Sequence, residues 1–111
     1  MTEKTKKYLS DILKAIDFAE DFTKDIETFE QYAVDYKTQS AVERQLAIIG
    51  EAVNNIRKEE DSVSLSFANQ IVGFRNRIIH AYDGVDNKVM WTILKNNLPI
   101  LKNEVQILLA L

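Results

Sequence analysis

The side chains best suited to chemistry fall in one short stretch. From Gly73 to Tyr82 the chain reads Gly-Phe-Arg-Asn-Arg-Ile-Ile-His-Ala-Tyr. It brings together fixed charges at Arg75 and Arg77, a carboxamide at Asn76, an imidazole at His80 and a phenol at Tyr82. An imidazole titrates near neutral pH and can take or return a proton, and a guanidinium can hold a phosphate on paired hydrogen bonds. These are the parts that metal-free RNA cleavage requires: a base for the 2′-hydroxyl proton, a cation at the phosphate and an acid for the leaving 5′-oxygen. His80 is the one histidine and there is no cysteine, so a closed zinc site, which draws on several nitrogen or sulfur ligands, is not expected. No metal and no cofactor is expected, and there is no glycine-rich phosphate loop. Acidic residues are many but scattered over polar helix faces. Glu51, beside Gly50, stands where it can turn inward.

Spacing limits what one copy of this stretch can do. At about 100° per residue, Arg75 and His80 lie roughly 140° apart around an ideal helix and do not share a face. His80 shares its face with Asn76 and Arg77, while Tyr82 returns close to the side of Arg75. A site that uses Arg75 and His80 together therefore gains from a second copy of the helix, which a two-fold dimer supplies. On residue types alone the cluster also fits a solvated helix face. His80 equally fits a histidine at a helix end, and Tyr82 an aromatic packed at a helix terminus.

The whole chain bounds these readings. Its 111 residues suit one compact domain spanning 1–111. With 46% hydrophobic and 28% charged residues, it can bury a core. The net charge of −3 has the wrong sign for coating nucleic acid, so any RNA contact must be local. The basic start is followed by apolar positions broken by Asp11, Lys14, Asp17 and Glu20, which does not make a signal-peptide core. No apolar stretch is long enough to span a bilayer. Absent cysteine suits a reducing compartment, and the expected location is cytoplasmic.

The elements that must position these groups read as helices nearly throughout, because apolar residues recur at three- and four-residue spacing and turn residues are scarce. A first helix is expected from about Lys4 to Phe22, on a stripe of Tyr8, Leu9, Ile12, Leu13, Ile16, Ala19 and Phe22. Thr28-Phe29-Glu30-Gln31 is a candidate capping box, opening a short helix near Phe29 to Tyr36. A long helix follows from about Gln39 to Lys58. Gly50 inside it costs roughly 1 kcal/mol relative to alanine, which points to close approach by another helix. After a polar loop from Lys58 to Ser64, Ser64 or Ser66 can cap a helix carrying Phe67, Ile71, Phe74, Ile78 and Ile79 and ended by Asp83 and Gly84. Asp86 is a candidate cap for a last helix that Pro99 must kink or break. The sum is all-α, an antiparallel up-and-down bundle of four to five helices. Trp91 and the Leu108, Leu109 and Leu111 tail read as core or dimer contact.

The segment from Arg75 to Tyr82 resembles the R-x4-H-x-Y motif of the HepT-like branch of HEPN proteins, with Arg75, His80 and Tyr82 at the motif positions. Asn76 matches the polar residue that usually follows the arginine. Upstream, Ala41-Val42-Glu43-Arg44 and Ile48-Ile49-Gly50-Glu51-Ala52 resemble the stretch before the motif. Downstream, Val89-Met90-Trp91 and Leu98-Pro99-Ile100-Leu101 are similar to the family's last helix. The likeness runs from about Gln39 to Val105, and the first helix agrees in pattern alone.

The resemblance implies a HEPN-like five-helix bundle that dimerises so that two motifs line one cleft and cleave RNA without metal. Arg75 and His80 would be catalytic and Asn76 supporting. It further implies the toxin of a type VII-like toxin–antitoxin pair, whose antitoxin is a minimal nucleotidyltransferase that transfers AMP to Tyr82. It does not imply which RNA is cut. The alternative is a helical module that binds a nucleotide or a partner without catalysis.

Overall fold

A computed structural model describes residues 1–80 and 85–111. Among these residues every regular element is helical. Helix α1 spans Glu3–Phe22; the Thr2 hydroxyl caps it by accepting from the Thr5 amide. Its buried face is Thr5, Leu9, Ile12, Ala15, Ile16 and Ala19, one stripe at helical spacing. Tyr8 and Leu13 of the expected stripe are half-buried at its edge. Phe22 lies outside it and stacks on Phe18 with ring centroids 6.0 Å apart.

Helix α2, Phe29–Ala33, opens with the expected capping box, in which Thr28 and Gln31 satisfy each other's backbone amides. It stops short of Tyr36 because Asp35 starts a new helix, its carboxylate accepting from the Thr38 amide. Helix α3 therefore spans Tyr36–Glu59 and begins a turn earlier than periodicity suggests. Glu60, just past its end, accepts from the Thr2 amide at 2.8 Å and the Thr5 hydroxyl at 3.0 Å. The start of α1 is thereby tied to the end of α3, which fixes the two as antiparallel neighbours.

Helix α4, Ala68–His80, follows a loop in which Ser66 gives its amide and hydroxyl to Glu104. The serine expected to cap α4 instead anchors the last helix. Phe67 enters α4 with φ 64°, a left-handed conformation that aromatic residues seldom adopt, and it packs against the core. The expected end of α4 at Asp83 and Gly84 lies outside the described residues.

Asp86 caps α5, Asn87–Thr92, by accepting from the Lys88 and Val89 amides. The chain continues as a π-helical turn, Ile93–Asn97, into α6, Leu98–Leu109, with Pro99 in its first turn. Proline is suited to a helix start and not to an interior, so the expected disruption takes the form of a π-turn and a fresh start. Helix α3 packs between α1 and α4, and α6 lies along α1. Lys102 clamps α6 to α1 through Asp17 at 3.1 Å and Glu20 at 3.0 Å. The core holds Ile12, Ile49, Ile71, Met90 and Leu101, each without exposed surface. No helix among the described residues is long and apolar enough to cross a membrane.

Candidate active site on α4

Arg75 is placed by a contact that begins with a missing side chain. A Cβ at Gly50 would overlap that of Arg75 and lie 2.8 Å from its Cγ and 3.3 Å from the Ile71 carbonyl oxygen. Only glycine lets α4 come this near to α3. The aliphatic stem of Arg75 rests on the α3 backbone, with Ile71 and Phe74 buried beside it. The glycine expected to mark a close approach does so beneath the first residue of the motif.

The head of Arg75 is held as well. One terminal nitrogen is ion-paired and hydrogen-bonded to Glu51, and the other donates to Asn76 Oδ1 at 3.0 Å. Its Nε is buried and finds no acceptor among the described residues. The Arg75 side chain keeps 22% of its surface and Glu51 49%. Asn76 thus orients the cation, while Glu51, which the sequence marked only as able to turn inward, is its principal partner.

The two faces of α4 look onto different grooves. Arg75 and Ile79 border an open groove of about 680 Å³ between α1, α3 and α4, with Lys7, Tyr8, Arg44 and Glu51 around it. Arg77 borders another, of about 390 Å³, with Phe74 and Asn97. The helix runs without interruption from Ala68 to His80, so the expected angular separation of Arg75 and His80 persists. His80 is exposed in the last turn. Tyr82, the candidate AMP acceptor, lies outside the described residues. No group of three or more His, Asp or Glu able to hold a metal is found among the described residues.

A family profile described as Ribonuclease HepT-like matches residues 12–108. The chain belongs to this HepT-like ribonuclease family. It is 41% identical over 105 residues, 94% of each chain, to a Thermococcus cleftensis protein named "Probable ribonuclease HepT". It is 37% identical over 106 residues, 92% of this chain and 94% of the relative, to a Methanocaldococcus jannaschii protein named "Putative RNase MJ1380". No solved structure matches it. Membership of the HepT-like family accords with the helical architecture, and the matched region takes in all of α3 and α4, hence both Arg75 and His80.

Proposed function

We propose that the protein is a metal-independent endoribonuclease that works as a homodimer. The observation that carries this reading is the separation of Arg75 and His80 on one continuous helix in a chain of the HepT-like ribonuclease family. Arg75 of one protomer binds the scissile phosphate, with Asn76 in support. His80 of the other takes the 2′-hydroxyl proton, the 2′-oxygen bonds to phosphorus to close a 2′,3′-cyclic phosphate, and the P–O5′ bond breaks as the imidazolium returns that proton to the leaving 5′-oxygen. Arg77, facing away from Arg75, steers RNA. Exposed apolar residues such as Ile79 at 38% and Ile100 at 49% give the bundle surface that a second copy can cover.

We further propose that the protein is a cytoplasmic toxin neutralised by a minimal nucleotidyltransferase. The Tyr82 phenol oxygen attacks the α-phosphorus of ATP, pyrophosphate leaves, and the attached AMP occupies the cleft. Its single negative charge pairs with arginine in place of the RNA phosphate, and its adenosine blocks the strand. This reading rests on the R-x4-H-x-Y motif. Mass spectrometry after co-expression with the nucleotidyltransferase should find AMP on the peptide holding Tyr82, and Tyr82→Phe should stay toxic beside the antitoxin.

Incubation of purified protein with RNA and EDTA tests cleavage, and mixing two inactive variants tests the composite site. Arg75→Ala paired with His80→Ala leaves one composite site whole in each mixed dimer. Activity should return in the mixture. No return would place both groups in one protomer, and intact RNA throughout would favour the binding module.

A further inference from the structure

The carboxylate against Arg75 has no assigned part in this chemistry, and its position gives it one. Glu51 follows Gly50 by one residue, so the turn of α3 that receives the Arg75 stem also supplies the acceptor for its head. A guanidinium has five N–H donors. Here one terminal nitrogen gives to Glu51 and the other to Asn76, while Nε is buried. One N–H on each terminal nitrogen remains, enough for two oxygens of a phosphate.

We propose that Glu51 is a positioning residue for RNA cleavage: its carboxylate holds the Arg75 guanidinium in one orientation, with the remaining donors turned toward the scissile phosphate. The inference rests on Arg75 being the phosphate-binding cation of the proposed reaction. An unpaired arginine on an open surface samples many rotamers and must lose that freedom when RNA binds. Arg75 loses it on folding. Glu51 is itself half exposed, so water screens its charge and Arg75 keeps attraction for a phosphate. The fork has donors enough to serve both anions at once, so the carboxylate need not leave when RNA arrives.

Positioning acts on the transition state more than on encounter, and a small misplacement of a catalytic group can cost roughly a hundredfold in rate. Steady-state cleavage of a short RNA by the full-length wild type, Glu51→Gln and Glu51→Ala reads this out. Glu51→Ala should lower kcat roughly ten- to a hundredfold with KM changed less than about threefold. Glu51→Gln keeps an acceptor without the charge and should fall between. In ¹⁵N-resolved NMR the Arg75 Nε–H signal should be distinct in the wild type and move to the position of free arginines in Glu51→Ala, with circular dichroism unchanged. Unchanged kcat and an unmoved Arg75 signal would overturn the proposal. So would a fall in KM at constant kcat, the mark of a carboxylate that merely competes with RNA. An inactive wild type, or an active Arg75→Ala, would strike the ribonuclease reading itself, and the NMR comparison would still decide whether Glu51 fixes Arg75.

Discussion

In the middle of α4, Arg75 lies across Gly50 and is tied to Glu51 and Asn76, with Ile71 fully buried and Phe74 nearly so beside it. One turn further on, His80 is exposed and Ile79 keeps 38% of its surface. The same helix thus carries a cation whose place is set by its own chain and an imidazole whose surroundings the described residues leave open. In the proposed reaction Arg75 has to be oriented before RNA arrives, because there its task is to receive charge at the phosphate. A proton-transfer group in that reaction can be placed by what would close over it, the substrate and a second copy of the helix.

The largest effects should therefore fall on activity, and they should separate the two positions. His80→Ala should lower RNA cleavage about 10²- to 10⁴-fold while shifting stability by less than about 0.5 kcal/mol, as for an exposed surface position. Arg75→Ala should lower cleavage comparably, but also cost measurable stability, because the stem that covers the Gly50 backbone is lost. Gel-based cleavage assays beside thermal unfolding check both. A His80→Ala variant that melts early would show the last turn to be packed as tightly as the middle.

Next in size is the contrast between two isoleucines. Ile71→Ala removes a side chain with no exposed surface and should destabilise by about 2–5 kcal/mol. Ile79→Ala should leave the protomer's unfolding nearly unchanged and weaken self-association instead, visible as a shift toward monomer in sedimentation. Equal losses of protomer stability would erase the difference between the two parts of α4.

Two glycines sharpen the same contrast at smaller scale. Gly50→Ala forces apart α3 and α4 beneath Arg75 and should cost about 1–3 kcal/mol through overpacking, with loss of cleavage because the guanidinium moves. A Cβ at Gly73 meets nothing within 4 Å. Gly73→Ala should stabilise α4 by roughly 0.5–1 kcal/mol through helix propensity. Opposite signs in chemical denaturation are expected.

Features written in local chemistry were legible in the sequence. The start and end of α1, the capping box at Thr28, the Asp86 cap and the disruption at Pro99 each depend on a few neighbouring residues. Gly50 signalled a close approach without naming its partner, since nothing local says that Arg75 sits above it. The Glu51–Arg75 pair and the Ser66–Glu104 anchor join residues distant in sequence, and one-dimensional periodicity does not encode such contacts. The early start of α3 does have a local signal: Asp35 stands three residues before Thr38, the spacing of a cap. Of the motif, the angular mismatch of Arg75 and His80 followed from residue numbering, whereas the role of Asn76 as an acceptor for Arg75 required the folded side chains.

The smallest expected effect is a pH dependence of stability that falls on the α1–α3 frame. Asp35 is held below the ordinary carboxylate range by the Thr38 hydroxyl and then the Thr38 amide. Glu60 is held down chiefly by the Thr2 amide, with the Thr5 hydroxyl adding to it. A carboxyl that ionises more readily in the folded chain favours folding while it is ionised there. That contribution is complete above the ordinary carboxylate range, near pH 4 to 5, and is lost as pH falls through the depressed folded value. Both groups are at the surface, so the effect should be small and should shrink with added salt. Asp35→Asn keeps an oxygen for the Thr38 amide but cannot titrate. Its melting temperature should lie slightly below that of the wild type at pH 7, and the two curves should converge below about pH 3. Parallel curves across that range would show that the Asp35 cap contributes its hydrogen bonds and not its charge. The acid sensitivity of the frame would then have to come from Glu60, which Glu60→Gln would reveal by the same convergence.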